Sequence, residues 1–231
     1  MSGPPSPTIV AIGGPGSDDE NRALAEYALG LTASERPTVC FLPTAVGDAD
    51  SAIVSFYERF SGRAAAWHAP IFPWPPADLR ERLLRSDLVW VSGGNTANML
   101  ALWRVHGIDD MLREAWARGI VLAGSSAGMI CWFEAGVTDS FGPGLAGMRD
   151  GLAMLPGSAC PHYDGEELRR PTYRRLVGEG FPGGYAADDC AALRFSGLDL
   201  AEAVSARRGA AAYRVDSSGE SQLEVRLLTR S

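Results

Sequence analysis

The chain has 231 residues and a formal charge of −7; 46% of its residues are hydrophobic and 21% charged, enough to bury a core and too apolar for a disordered chain. All 21 basic residues are arginine. The absence of lysine excludes Schiff-base chemistry and the lysine of a phosphate-binding loop, and an acidic chain without a basic run is a poor nucleic-acid binder.

The N-terminal segment 1–7 is rich in Ser and Pro and has neither the charged start nor the apolar stretch of a signal peptide. We expect it to be disordered. No apolar run approaches the ~20 residues that span a bilayer, so a cytoplasmic protein without membrane contact is expected. Cys40, Cys131, Cys160 and Cys190 form no CxxC pair, which argues against a zinc site or disulfide framework. No metal or cofactor is expected.

In chain order, Thr8–Ile12 reads as a strand ending at Gly13-Gly14, and Asp18–Leu29 as a helix with acidic residues in its first turn and a stop at Gly30. Strands follow at Thr38–Leu42, Ala64–Trp67, Leu88–Val91 and Ile120–Ala123. Helices are expected over Ser51–Phe60, Ala77–Leu84, Asn98–Val105 and Asp109–Ala117. Buried strands separated by helices point to a doubly wound, mostly parallel α/β sheet, with ligands bound beyond the carboxyl ends of the strands. The stretch 136–165 is rich in Gly, Pro and Ser and has weak periodicity. Beyond it, Glu166–Gly178 reads as a helix, and Gly184–Ala187, Ala191–Phe195, Ala210–Val215 and Gln222–Leu228 as strands. No repeat or linker divides the chain, so 1–231 is taken as one domain.

Gly124-Ser125-Ser126-Ala127-Gly128 follows a buried strand and opens a helical stretch, Met129 to Phe133. That is the context of a nucleophile elbow, G-x-S-x-G. The two glycines permit a very tight turn, Ser126 stands above the sheet edge, and the Ala127 amide points at a developing oxyanion. Read otherwise, the same glycines only make packing room. Of three histidines, His162 lies in a loop that can swing over the sheet edge, behind the rigid Pro161; His68 and His106 read as surface or capping residues. A third group should orient the imidazole. Glu134 would lie ~12 Å down a continued helix; Asp164 reads as a helix cap; Asp139, after the chain has left the helix, is favoured, with Glu134 kept open. The turn Ser92-Gly93-Gly94-Asn95-Thr96 fits a second oxyanion donor, and Asn95 or Thr96 can cap the next helix.

Val91-Ser92-Gly93-Gly94-Asn95-Thr96, then Gly124 to Gly128 about thirty residues on, then Pro161-His162, resemble the peptidase E group of aspartyl dipeptidases, with cyanophycinase as a relative. The resemblance runs from Ile9 to about Leu193. It implies a flavodoxin-like fold akin to class I glutamine amidotransferases, with serine as nucleophile, and a serine–histidine–carboxylate triad in that chain order, with a carboxylate in the loop a little over twenty residues before the histidine, which again falls on Asp139. It implies an oxyanion hole from Gly94 and Ala127, with Asn95 and Arg170 as substrate contacts, Arg170 matching the arginine that recognises aspartate. Asp188-Asp189 resembles an acidic motif near the family's site, and reads equally as a structural turn. A small peptide substrate and a homodimer are family-based expectations. The chain departs from the group at Ser125, where those dipeptidases carry a bulky aromatic, and in Cys131-Trp132-Phe133-Glu134. A divergent branch is implied, in which the acid residue and the substrate both differ from those of the group. The competing readings are an α/β-hydrolase esterase, which shares G-x-S-x-G but would need an HGGG loop, and a non-catalytic domain using Gly13-Gly14-Pro15-Gly16 as a nucleotide loop.

Overall fold

The computed structural model describes residues 7–229. Apart from Pro7, the segment expected to be disordered lies outside the described residues.

Up to the nucleophile elbow the chain alternates strand and helix: β1 (Thr8–Ile12), α1 (Asp18–Leu29), β2 (Thr38–Leu42), α2 (Asp50–Phe60), β3 (Ala65–His68), α3 (Leu79–Leu84), β4 (Leu88–Val91), α4 (Thr96–His106), α5 (Ile108–Ala117) and β5 (Val121–Ser125). Helix α1 starts where Ser17 and Glu20 form a reciprocal capping box. Alternate strand residues feed two different cores, as the two-residue period requires. Val10, Ile12, Phe41 and Trp90 pack against Leu24 and Ala28 of α1 and Phe56 and Phe60 of α2. Phe41 stacks on Phe56 at 4.6 Å. Ile9, Ala11, Cys40, Leu42, Val89 and Val91 face the other way, in the core shared with Leu83, Met99, Trp103 and Leu112. Each such large side chain stabilises the fold by about 1.5–3 kcal/mol when fully buried.

These strands form five of the eight strands of one sheet. From β3 through β2, β4 and β5 to β1 the neighbours run parallel. Beyond β1 lies β10 (Ala191–Ser196), antiparallel to it, then β11 (Asp199–Ser205) and β14 (Val225–Leu227). The fold is thus the mixed α/β arrangement with a mostly parallel sheet expected from the sequence.

A second, six-stranded sheet was not foreseen. Its order is β13 (Gly219–Gln222), β12 (Ala212–Asp216), β9 (Gly184–Ala187), β8 (Leu155–Cys160), β6 (Phe133–Thr138) and β7 (Ala146–Met148). Three of these strands occupy the stretch read as irregular. The helix after the elbow, α6, covers only Ala127–Ile130, not Met129 to Phe133. Trp132 and Phe133 are fully buried in the core that links the two sheets, so the chain turns into β6 instead of continuing as a helix. The strands were hard to read because glycines hold places where side chains would carry the period. At Gly184, for instance, a Cβ would sit on the backbone of Ser158 in the neighbouring strand. Helix α7 (Arg169–Gly178) packs Tyr173 and Val177 onto this sheet. The four cysteines are buried and unpaired.

Candidate active site

Ser126 stands at the sharp turn between β5 and α6, with φ 57° and ψ −108°. The left-handed φ is strained for a residue with a Cβ and is held by its surroundings. Its N–H donates to the Ile12 carbonyl at 3.0 Å. The flanking glycines are sterically required. A Cβ on Gly124 would lie 2.5 Å from the Gly128 carbonyl oxygen, and one on Gly128 would lie 2.8 Å from that of Val91. That is the elbow read from G-x-S-x-G.

His162 follows β8 and also has a positive φ, 53°. Its N–H donates to the Gly13 carbonyl at 3.2 Å, which ties the small sheet's loop to the end of β1. Its Nε2 lies 2.8 Å from Ser126 Oγ. On the other side, its Nδ1 lies 2.7 Å from Asp189 Oδ1. A carboxylate accepts, so Nδ1 carries the proton and Nε2 is left to accept from the serine hydroxyl. The His162 and Asp189 side chains are 16% and 24% exposed, so the chain of hydrogen bonds is shielded without being sealed.

The carboxylate beside the imidazole is therefore neither Asp139 nor Glu134. Asp139 follows β6; its side chain is 62% exposed and lies 4.0 Å from Arg169. Glu134 is within β6 and accepts from the Gly157 N–H, 3.1 Å away, because the expected helix ends before it. Asp164 accepts from the Asp189 N–H at 2.9 Å and so positions the residue beside the imidazole instead of capping a helix. Asp189 sits between β9 and β10, at the carboxyl end of β9. A usable signal was present: the pair Asp188-Asp189 directly follows the strand read at Gly184–Ala187, the same strand-end logic that singles out Ser126.

Two glycines make room for this pair. A Cβ on Gly14 would collide with the Asp189 carboxylate and approach the His162 ring, and one on Gly165 would lie 2.5 Å from Asp189 Oδ2. The segment read as an alternative nucleotide loop is thus partly occupied by triad packing. Asp188 points elsewhere: its Oδ2 accepts from the Ala211 N–H at 2.8 Å. Burial raises its pKa to about 6, with the nearby Asp164 and Asp189 carboxylates adding to the shift and the Ala211 hydrogen bond opposing it.

Of the expected oxyanion donors, Ala127 is the first residue of α6, so its amide has no intrahelical acceptor. Gly94, with φ 127°, turns beside Ala45; its neighbour Gly93 is the closer to Ser126, since a Cβ there would lie 3.3 Å from the serine Cβ. Both glycines line a cavity of about 360 Å³ together with Ser126 and His162. The expected substrate contacts are engaged elsewhere. Asn95 caps α4 by accepting from the Asn98 N–H at 2.9 Å, and its Nδ2 donates to the Ser140 carbonyl at 3.1 Å. Arg170 pairs with Glu220 and lies over the rings of Tyr163 and Tyr213. Neither residue lines the cavity. His68 bonds the Tyr57 hydroxyl at 2.8 Å, and His106 ends α4.

The model for peptidase family S51 matches residues 9–202. The chain is 48% identical over 211 residues to “Uncharacterized peptidase YgaJ” of Bacillus subtilis (strain 168), covering 90% of this chain and 91% of that protein. Among solved structures, a peptidase from an acI-B1 Actinobacterium superposes with a TM-score of 0.67 at 17% identity, covering 97% of this chain and 96% of that one. A Listeria monocytogenes EGD-e protein bearing a provisional peptidase E label gives 0.63 at 18% identity, over 84% and 96%. These two show the shared fold. With the family model running from β1 into β11, across the elbow and the histidine loop, the chain belongs to peptidase family S51, a family of serine peptidases.

Proposed function

We propose that the protein is a serine dipeptidase that hydrolyses small peptides with an N-terminal acidic residue, aspartate first, through an acyl-enzyme on Ser126. The observation that carries this reading is the continuous relay Ser126–His162–Asp189 at 2.8 and 2.7 Å. Ser126 Oγ attacks the scissile carbonyl while its proton passes to His162 Nε2, and the Asp189 carboxylate stabilises the imidazolium. The Ala127 amide and the Gly93-Gly94 backbone accommodate the oxyanion. As the intermediate collapses, His162 gives its proton to the departing amine and the C–N bond breaks. A water molecule then attacks the acyl ester, losing a proton to His162, and Ser126 recovers its proton as the acid product leaves. A cavity of about 360 Å³ suits a dipeptide better than a long chain.

The test is turnover of Asp-Leu, with labelling by an activated fluorophosphonate. Wild type should do both. Ser126→Ala should lose labelling and at least ~10⁴-fold in kcat while melting like wild type. Hydrolysis retained by Ser126→Ala would refute the assignment. Turnover of p-nitrophenyl acetate far above that of dipeptides would instead favour an esterase.

A further inference from the structure

The cavity in front of Ser126 does not end at the triad. It continues between α1 and α2 along the sheet face, over Phe41 and Trp90, and is lined on the α2 side by Ser55, Phe56 and Arg59. The i, i+4 spacing of Ser55 and Arg59 puts them on one face of the helix. Among the described residues lining this cavity, Arg59 is the one arginine. It is half-buried, with its guanidinium 5.6 Å from the centre of the Trp90 ring.

Arg59 differs from the other arginines near the molecule's functional end. Arg170 is paired with Glu220, Arg169 with Glu166 and Arg207 with Glu20. Among the described residues no carboxylate comes within ion-pair distance of Arg59. Asp18, at the start of α1, acts on it only through space, and burial lowers its pKa from the usual arginine value without neutralising it. A half-buried cation stacked on an indole and lacking an anionic partner is set up to receive one from outside. Two more polar groups in the same cavity lack partners. The hydroxyls of Ser92, at the end of β4, and Ser125, beside the nucleophile, are buried with no hydrogen-bond partner among the described residues.

We infer that Arg59, with the Ser92 and Ser125 hydroxyls, forms the subsite that binds a carboxylate on the acyl side of the substrate. This rests on the proposed peptidase reading and deepens it: acid recognition moves from Arg170, which faces Glu220 outside the cavity, to the arginine inside it. The remaining walls, Phe41, Phe56 and Trp90, accept the methylenes of the acidic side chain.

Matched substrates test this. Asp-Leu is compared with Asn-Leu, and Glu-Leu with Gln-Leu, in wild type, Arg59→Gln, Arg59→Lys and Arg170→Gln. The wild-type preference for the acid, in kcat/KM, should be at least ~10-fold, about 1.4 kcal/mol. Arg59→Gln should bring the ratio close to one, mainly through KM, while Arg59→Lys keeps part of it and Arg170→Gln keeps all of it. Fluorophosphonate labelling of Ser126 should be unchanged in Arg59→Gln. An undiminished acid preference in Arg59→Gln, or none in a wild type whose Ser126 is labelled, overturns the subsite and leaves the peptidase reading standing. If wild type neither cleaves nor is labelled, the peptidase reading fails. Calorimetric binding of Asp-Leu then decides the subsite alone: binding lost in Arg59→Gln supports it, and equal or absent binding overturns it.

Discussion

The two sheets contribute unequally to the same site. The large sheet supplies Ser126, the proposed nucleophile, after β5 and the glycine turn after β4, all on regular β/α units packed on both faces. The small sheet supplies His162 after β8 and Asp189 after β9, the proposed base and its carboxylate, from loops with positive φ at His162 and Cys190. The nucleophile is thus built on the regular part of the molecule. The groups that activate it are built on the irregular part and held against β1 by the His162–Gly13 hydrogen bond and the bridge between Gly14 and Asp189. Regular layers place a residue coarsely, by strand order. Loops place it finely, by local hydrogen bonds.

The most severe way to break this arrangement is to remove the small sheet's acid. Asp189→Asn keeps the shape but lets the imidazole settle in the wrong tautomer, and kcat should fall by ~10³–10⁴-fold. Asp139→Asn should change kcat less than about twofold, because an exposed carboxylate 4.0 Å from an arginine has little to lose. Steady-state kinetics on the two variants separates the proposed triad from the one the resemblance implies; equal losses would sink the assignment of Asp189. Next in size is the joint between the sheets. Gly14→Ala drives a methyl group into Asp189 and His162, and should cost about 10²-fold in kcat and ~1–3 kcal/mol in stability. Kinetics together with chemical denaturation would check it, and near wild-type activity would show that the joint yields freely.

The smallest effect concerns Asp188. Its folded pKa, about 6, lies above the ordinary aspartate value of 3.8. The protonated form suits the folded state, so the stability linked to it is complete below about pH 4 and is lost as pH rises through 6. Asp188→Asn keeps an acceptor for the Ala211 N–H and removes the charge. It should raise stability at pH 7 by about 1 kcal/mol and flatten the change in Tm between pH 4 and 6. A variant less stable than wild type at pH 7 would contradict this.

The same division explains what was legible. Strands β1, β2 and β4 coincide with their apolar runs because their side chains are buried on both faces, which leaves an unbroken hydrophobic stretch. That Ser126 and His162 come together was legible because the elbow imposes glycines at fixed offsets and only three histidines exist. Asp189 was passed over in favour of Asp139 because proximity in sequence to Ser126 and His162 says little when the chain builds three strands of another sheet in between. Arg59 carried no local signal at all: on α2 it reads as one more charged residue of an amphipathic helix, and only its place in the cavity wall, over Trp90 and away from any carboxylate partner, sets it apart.

The pairing of β1 with β10 has a consequence for the order in which the protein is made. Thr8 lies opposite Ser196, so the first strand to leave the ribosome waits for one of the last before its edge is covered. Asp189 arrives on the turn just ahead of that partner strand. A nascent chain can therefore carry its serine, and even its histidine, with no relay between them and the sheet. On the proposed triad, the relay is complete only once the chain has reached Asp189, beside the strand that pairs with β1.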